Sequence, residues 1–443
     1  MTEPTPDTTG GTADRPAQGS GSPVTVASLR RRTITVLAAA QVLSGLAAGS
    51  IVSVGSLLAV ELSGSDAWAG SVTTAATLGA ALAALSLARL AESHGRRRAL
   101  ATGLALASTG ALGVVLAAVL ASFPLLLVAS ALMGVGAAVN LQSRFAATDL
   151  STPATRSRDL SLVVWTGTVG AVIGPNLVHL DAPLARLTGL PELGAVFLFS
   201  AAGMIAALLV VHAGLRPEPL DVVGREGGVA GARAHVPLRV AVVTLRHHPR
   251  AMAAVLGIVV AHAVMVAVMS MTPVHMMGHG ATVELVGLTV SLHLAAMFAL
   301  APVMGVVADR LGPRVVLTGG LVLVAGATAV CGAARGDHVG VTVGLVLLGL
   351  GWSAATVAGS SIVAGDVPGP ERVTIQGLSD ALMSLAGAGG GALAGVALAL
   401  GGYDGLNVAA AAVTVAGLVA VLLVHRRAPS PRRFPAQDAR VEG

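Results

Sequence analysis

The 443-residue chain has little charge, since only 11% of its residues are charged while 54% are hydrophobic. A soluble domain carries about 25% charged residues, so this composition cannot cover a globular surface with polar side chains. Soluble enzymes, nucleic-acid binders and secreted disulfide scaffolds are therefore excluded. The single cysteine, Cys331, also excludes an intramolecular disulfide and a metal site built from thiolates.

Lysine is absent and aromatic residues are scarce. All 27 basic residues are Arg, and the aromatic residues are limited to 3 Trp, 1 Tyr and 6 Phe. Small residues are abundant instead, with 56 Gly and many Ala, which suggests a bacterium with GC-rich DNA. Small side chains let helices approach each other closely in lipid. The sequence therefore predicts a protein that crosses a membrane several times.

Twelve runs of apolar residues are long enough to cross a bilayer as helices, which takes roughly 20 residues. They lie at residues 33–61, 68–91, 99–121, 124–145, 160–180, 192–214, 250–274, 283–307, 315–334, 339–362, 374–399 and 404–425. We expect no cleavable signal peptide before them. Residues 1–28, rich in Pro, Thr, Gly and Asp, and residues 427–443 are predicted to be cytoplasmic tails, the first of them disordered.

The positions of the Arg residues predict the orientation of these spans. With a cytoplasmic N-terminus, all Arg residues except Arg186 and Arg335 fall on the cytoplasmic side, as the positive-inside rule requires. Both termini are therefore placed in the cytoplasm, and the net charge of +5 needs no nucleic-acid partner. We expect a multi-pass protein of a bacterial cytoplasmic membrane, with the lipid bilayer as its partner and no obligate protein partner.

The chain consists of two related halves at a constant offset of 217 residues. Residues 29–214 and residues 250–426 each contain six spans, and the charged segment 215–249 links them. The matched pairs are Gly95 and Gly312, Gly134 and Gly351, Asp149 and Asp366, Pro153 and Pro370, and Gly174 and Gly391. A duplicated six-helix unit is typical of secondary transporters, which bind their substrate between the halves near the middle of the membrane.

The segment between spans 8 and 9, residues 305–314 (GVVADRLGPR), resembles the loop motif of the major facilitator superfamily. A diverged copy, residues 88–98 (ARLAESHGRRR), follows span 2. The resemblance implies an all-α membrane protein whose twelve transmembrane helices form two six-helix bundles that give alternating access. We expect the two loops to latch the cytoplasmic side by pairing carboxylates with arginines. The predicted latch residues are Glu92, Arg96, Asp309, Arg310 and Arg314.

Met and His cluster in the second half, where eight of the 12 Met and four of the 12 His lie within residues 252–304. On span 7, Met265 and Met269 share a helix face with His262, and on span 8 His293 lies one turn before Met297. Thioethers beside imidazoles suit Cu(I), whereas Met contributes little to Mg, Ca or Mn sites. An imidazole that titrates near neutrality also offers a way to release the ion.

The pairing of Met-x₃-Met on span 7 with His-x₃-Met on span 8 resembles the CcoA-like branch of the superfamily, which imports copper into bacteria. This resemblance implies copper as the transported ion, with no permanently bound cofactor. The predicted metal ligands are Met265, Met269, His293 and Met297, with His262 as an additional candidate. The predicted outer capture loop consists of His275, Met276, Met277 and His279.

Other functions compete with copper import. Gly170, Gly174 and Pro175 on span 5 resemble part of the antiporter motif of proton-coupled drug exporters, although Ser130 occupies the position where that motif expects Arg. The CcoA-like branch also has riboflavin-transporting relatives. Asp380, about two turns inside span 11, is expected to hydrogen-bond at a helix interface rather than to couple transport. We expect no enzymatic activity, because nucleotide-binding loops and catalytic constellations are absent from the sequence.

Overall fold

The computed structural model describes residues 26–65, 68, 71–176, 181–191, 193–226, 237–367 and 371–427. Nearly all of these residues belong to fifteen α-helices, so the predicted all-α fold is confirmed for this part of the chain. In chain order the helices are α1 (Val26–Ser63), α2 (Ser71–His94), α3 (Arg96–Val119), α4 (Phe123–Ala146), α5 (Arg156–Asn176), α6 (Asp181–Thr188), α7 (Phe197–Gly214), α8 (Pro219–Glu226), α9 (Leu238–His247), α10 (Pro249–Gly278), α11 (Val283–Phe298), α12 (Ala301–Leu311), α13 (Pro313–Ala333), α14 (His338–Asp366) and α15 (Glu371–Arg427).

The helices follow the predicted spans. Each of the twelve apolar runs falls on described helices, and the last two runs, 374–399 and 404–425, both lie in α15. Within the described ranges, nine helical stretches are long and apolar enough to cross a membrane. The count of twelve spans and the cytoplasmic placement of both termini stay predictions. Most of the two predicted tails, residues 1–25 and 428–443, lies outside the described residues.

Helix ends depart from the predicted boundaries at two places, in span 8 and at the end of α10. Predicted span 8 consists of two helices, because α12 begins at Ala301 with Pro302 in its first turn, and proline lacks the N–H that would continue α11. By contrast, the long helix α15 is interrupted at Gly402, whose φ of 65° and ψ of −170° are not helical, and this agrees with the predicted break between residues 399 and 404. Helix α10 continues through Pro273 to Gly278, so most of the predicted outer capture loop is helical.

The segment between the halves, residues 215–249, contains the short helices α8 and α9. Two residues of α9, Ala241 and Leu245, are buried. The remainder of this segment, residues 227–236, lies outside the described residues.

The two halves share the same sharp turn at equivalent positions. Gly95 joins α2 to α3 with a φ of 94°, and Gly312 joins α12 to α13 with a φ of 93°. A residue with a Cβ atom is strained at such angles, so glycine is needed at both positions. The sequence offset therefore corresponds to a repeated backbone geometry.

Helices α2 and α4 cross with their backbones in contact. A Cβ atom on Gly79 would overlap the carbonyl of Ala131, and one on Gly134 would overlap the carbonyl of Ala76. The second half repeats this arrangement where α13 crosses α14, since a Cβ on Gly351 would lie 2.8 Å from the carbonyl oxygen of Gly320. Glycines at these crossings set how closely the helices of each bundle pack.

We predict that Gly134→Ala destabilises the protein, because the added methyl group would push α2 and α4 apart. Overpacking of this kind costs about 1–3 kcal/mol. The measurement is the thermal unfolding midpoint of detergent-purified protein. Gly319→Ala in α13 is the control, since a Cβ atom there meets nothing within 4 Å. Equal midpoints for the two variants would contradict the close crossing.

Candidate functional site

Arg96 is the central charged residue at the end of the molecule that is predicted to be cytoplasmic. It begins α3 and is 1% exposed. Its Nε atom donates to Asp149 Oδ2 at 2.9 Å, and its Nη2 atom donates to Gln376 Oε1 at 2.6 Å. Gln376 lies on α15, so Arg96 joins the first half to the second. Such partners are necessary because an unpaired buried charge is strongly destabilising.

Glu92, near the end of α2, makes a second contact between the halves. Its Oε1 atom accepts a hydrogen bond from the backbone N–H of Thr374 at 2.9 Å and another from the Thr374 hydroxyl. Thr374 lies near the start of α15, where backbone amides lack intrahelical partners and the helix dipole is positive. The carboxylate therefore stabilises the start of α15 and holds it against α2.

Asp309, near the end of α12, makes the equivalent contact in the opposite direction. Its two carboxylate oxygens accept hydrogen bonds at 3.0 Å from the backbone amides of Ser157 and Arg158, at the start of α5. Glu92 and Asp309 are related by the offset of 217 residues, and so are Ser157 and Thr374. One type of carboxylate contact thus joins the two halves at two equivalent places.

Three of the five predicted latch residues join the halves: Glu92, Arg96 and Asp309. Asp309 binds backbone amides there, whereas the sequence analysis predicted an arginine side chain as its partner. Arg310 is exposed, and Arg314 lines a cavity of about 390 Å³. The control of conformation by these contacts stays a prediction.

Arg144 and Asp380 form a contact that the sequence analysis missed. Arg144 Nη2 on α4 lies 2.5 Å from Asp380 Oδ1 on α15, and both side chains are buried, at 3% and 0% exposure. Asp380 does lie at a helix interface, as expected, but its partner is a cation from the other half. The only signal in the sequence was the presence of two ionisable residues inside spans 4 and 11.

His293 lies in the core of the second half and uses one of its two ring nitrogens in a hydrogen bond. Its Nδ1 atom lies 2.7 Å from the carbonyl oxygen of Leu345, which can only accept, so Nδ1 carries the hydrogen. Its Nε2 atom is buried and has no hydrogen-bond partner among the described residues. Met297, one turn further along α11, and Met265 on α10 are also buried, while Met269 is half-buried.

His262 differs from His293 in its hydrogen bonding. Its Nδ1 atom accepts a hydrogen bond from Trp352 Nε1 at 2.9 Å. In the neutral ring the hydrogen is therefore on Nε2, and no lone pair is left for an ion. The sequence analysis included His262 as an additional metal ligand because it shares a helix face with Met265. The hydrogen bond to Trp352 removes His262 from the set of candidate metal ligands.

The predicted outer capture residues are mostly helical. His275, Met276 and Met277 lie in the last turn of α10, and His279 directly follows that helix. Met276 is fully buried, whereas Met277 is 55% exposed. The predicted span 7 ended at residue 274, whereas the helix continues through Pro273 to Gly278.

His275 and His279 belong to a cluster of rings at this end of the molecule. Their ring centroids are 4.3 Å apart, and the ring of His275 stacks on that of Tyr403 at 4.0 Å. These residues line a cavity of about 440 Å³ together with Arg335 and Asp404. Groups of three or more His, Cys, Asp or Glu residues arranged to hold a metal ion do not occur in the described part of the chain.

Comparisons with known proteins agree with this geometry. The family model of the Major Facilitator Superfamily matches residues 37–283 and 255–442. The chain belongs to the major facilitator superfamily. It is 35% identical to YdeG, an uncharacterised MFS-type transporter of Bacillus subtilis (strain 168), over 91% of this chain and 93% of that protein.

Two further similarities extend this assignment. The chain is 30% identical to the riboflavin transporter RfnT of Brucella anthropi, over 87% of this chain and 93% of that protein. Its fold is similar to that of the proton:xylose symporter XylE, with a TM-score of 0.69 and 15% identity, over 91% of this chain and 97% of that chain. The protein is a membrane transporter of this superfamily and not an enzyme.

The exporter-like motif of this facilitator falls largely outside what the structure describes. The backbone of α5 is helical through Gly170, Gly174 and Pro175, but the side-chain surroundings of these positions lie outside the described residues. Ser130, at the position where the motif expects Arg, donates its hydroxyl hydrogen to the carbonyl of Leu126 at 2.7 Å. It therefore bonds within its own helix.

We predict that Asp309→Asn lowers solute uptake by this transporter without lowering its abundance in the membrane. One carboxylate oxygen would become an NH₂ group, which cannot accept a hydrogen bond from the backbone N–H that faces it. A hydrogen bond to a charged group contributes about 1.5–3 kcal/mol of stability. Initial uptake rates and membrane immunoblots measure the two quantities. Arg310→Gln is the control, because Arg310 is exposed and should tolerate the change. Normal uptake in Asp309→Asn would mean that the contact is dispensable.

Proposed function

We propose that this facilitator imports copper across the bacterial cytoplasmic membrane by alternating access. The observation that carries the proposal is the buried Nε2 atom of His293, which has no hydrogen-bond partner within the described ranges. Buried polar atoms are normally satisfied, so an unpaired lone pair in the core of a helix bundle is suited to an incoming ligand. The lone pair of a neutral imidazole is a good donor to a soft cation.

The environment of His293 favours an ion over a structural hydrogen bond. Its Nδ1–H is held by the carbonyl of Leu345, which fixes the tautomer and the direction of the ring. Metal-binding histidines commonly use their second nitrogen in this way. Leu345 is itself buried on α14, so the orientation of the ring does not depend on solvent.

The proposed ligands are Met265, Met269, His293 and Met297. Met265 and Met297 belong to the same buried core cluster, and Met269 packs against that cluster. Thioethers are uncharged and bind copper less tightly than thiolates, so a site of this kind can release its ion. His262 is left out, because its Nδ1 lone pair is used by Trp352.

The ring cluster of His275 and His279 is proposed as the first contact for copper outside the membrane. Both residues line the cavity of about 440 Å³ at the predicted outer end of the second half. The Nε2 atom of His275 is buried and has no hydrogen-bond partner among the described residues. Met277 is exposed at the same end and can contribute a thioether. Met276 is excluded from capture by its full burial.

We predict that the double variant Met265→Leu/Met269→Leu loses copper uptake. Leucine keeps the apolar volume, and such swaps usually cost under about 1.5 kcal/mol of stability. Loss of the sulfur ligands should lower uptake at limiting copper by about tenfold or more, which corresponds to about 1.4 kcal/mol of binding. Cell-associated copper at limiting supply measures the effect.

The matched control is Met252→Leu/Met271→Leu. These methionines are also partly buried on α10 and pack against the same core cluster, but they are not proposed as ligands. Copper uptake should remain normal in the control. Equal uptake by the two double variants would show that Met265 and Met269 do not coordinate copper.

We predict that His293→Asn abolishes copper uptake while the protein folds normally. The side-chain amide of Asn can place an N–H near the position of Nδ1 and so keep the hydrogen bond to Leu345, but it lacks any atom in place of Nε2. Protein abundance and the unfolding midpoint should stay near those of the unmodified chain. Full uptake by this variant would show that His293 has only a packing role.

Riboflavin import is the second candidate, and the observation that favours it is the 30% identity to RfnT. An aromatic cluster in the second half could contact a flat ring, because Trp352 lies 5.7 Å from Phe298 and 6.0 Å from His262 between ring centroids. Expression in a riboflavin-requiring bacterium tests this candidate. Growth on low riboflavin with unchanged cellular copper would identify riboflavin, and not copper, as the cargo.

A further inference from the structure

Arg144 and Asp380 form a buried ion pair between the two halves of the transporter. The side-chain atoms Nη2 and Oδ1 are 2.5 Å apart, with Arg144 on α4 in the first half and Asp380 on α15 in the second. Neither side chain has appreciable exposed surface. The pair therefore holds α4 against α15 at a place that water does not reach in this conformation.

Alternating access requires this pair to break. When the halves separate on the predicted cytoplasmic side, α4 and α15 move apart and each charge loses its partner. An uncompensated buried charge is strongly unfavourable. Arginine does not give up its proton in proteins, so Asp380 is the member of the pair that can change its charge.

Asp380 has a carboxylate oxygen that can bind a proton while the two halves are in contact at the predicted cytoplasmic end. Its Oδ1 atom accepts the hydrogen bond from Arg144, whereas its Oδ2 atom is buried without a hydrogen-bond partner in the described part of the chain. A proton on Oδ2 would neutralise the carboxylate and weaken its attraction to the guanidinium. The pair would then open without leaving a buried anion.

The equivalent positions of the repeat hold other residues. At the offset of 217 residues, Arg144 corresponds to Ser361 and Asp380 corresponds to Val163. The equivalent interface, between α14 and α5, is held by a hydrogen bond of 2.8 Å between the hydroxyl groups of Ser157 and Ser361. An ion pair is thus present at only one of two equivalent interfaces, which points to a function beyond packing.

The charged groups around Asp380 come from several helices. Arg144 on α4 is in contact with it, and Arg96 at the start of α3 acts on it electrostatically. On the α2 side, Glu92 is bonded to Thr374. On the α10 side, His262 approaches α15 at Gly387, about two turns beyond Asp380.

Other charges at this end are paired among themselves. Asp149 accepts hydrogen bonds from Arg96 and, at 3.4 Å, from Arg372. It shares its charge between two arginines, whereas among the described residues Asp380 has one direct cationic partner and one oxygen without a hydrogen-bond partner. Asp380 is therefore the carboxylate in this network whose protonation changes the contact between the halves most directly.

We propose that Asp380 is a proton-binding site that couples transport to the proton gradient. A proton from the outside binds Asp380 Oδ2, the ion pair with Arg144 opens, and the cytoplasmic side separates. The proton then leaves to the cytoplasm, and the carboxylate pairs with Arg144 again. One proton enters with each cycle, so the gradient drives import. The inward direction rests on the proposed import, but the proton site itself does not depend on copper as the cargo.

The experiment measures opening of the cytoplasmic side without any cargo. Spin labels are attached to Arg98→Cys and Leu311→Cys, two exposed positions at the ends of the two halves, with the buried Cys331 left in place. Inter-spin distances are measured for the full chain in lipid nanodiscs, in acidic and in mildly alkaline buffer. We expect the distance distribution of the labelled parent to move to longer values in acid.

The variant Asp380→Asn, which is a neutral analogue of the protonated form, should show the long distances in both buffers. Asp366→Asn is the matched control, because Asp366 pairs with Arg250 at 3.9 Å within the second half only, and it should keep the shift of the parent. A parent-like shift in Asp380→Asn, or the absence of any shift in the parent, would overturn the proposal.

Two further variants keep the test decisive if Asp380→Asn does not fold. Asp380→Glu retains a titratable carboxyl group and should keep the pH-dependent shift. Arg144→Gln removes the partner and should give long distances in both buffers. A parent-like shift in Arg144→Gln would also overturn the proposal. Since copper and riboflavin are absent, these outcomes are independent of which solute is transported.

Discussion

A charged side chain buried between two helix bundles must find its partner in the protein, because neither lipid nor water is there to solvate it. Arg96 satisfies this constraint with Asp149 in its own half and Gln376 in the other. Arg144 satisfies it with Asp380 of the other half. The contact between the halves at the predicted cytoplasmic end therefore depends on polar partners.

The contacts between the halves lie at positions related by the internal repeat. Glu92 and Asp309 occupy equivalent positions, and each accepts hydrogen bonds from backbone amides near the start of a helix in the opposite half. A carboxylate suits this position because the helix N-terminus has a partial positive charge and unpaired amides. Departures from the repeat are then informative, since Ser361 and Val163 stand where the other interface has Arg144 and Asp380.

The histidines of the second half differ in role because they differ in hydrogen bonding. His262 accepts a hydrogen bond from Trp352, which completes a structural contact between α10 and α14. His293 donates from Nδ1 to a backbone carbonyl and keeps Nε2 without a partner in the described part of the chain. His275 stacks on Tyr403 at the opposite end of α10 from the charged network. The rings of these three histidines thus make different contacts.

The sequence alone determined the helical class, the apolar segments and the repeat, because these follow from composition, hydropathy and spacing. It also identified Glu92, Arg96 and Asp309, since charged residues beside Gly95 and Gly312 are conspicuous in an apolar chain. The sequence could not identify their partners: a carboxylate predicted to meet an arginine side chain binds the amides of Ser157 and Arg158 instead. The helical ending of α10 was missed because Pro273 normally disfavours a helix.

Only the tertiary structure decided which distant groups meet. Arg144 and Asp380 are 236 positions apart in the chain, and their pairing depends on how α4 packs against α15. The tautomer of His293 likewise depends on a carbonyl of α14 that comes within 2.7 Å of its ring. Periodicity shows which residues share a face of one helix, but the face of the neighbouring helix is set by packing between segments far apart in sequence. For that reason the spans could be read from the chain, while the ion pair between the halves and the free nitrogen of His293 could not.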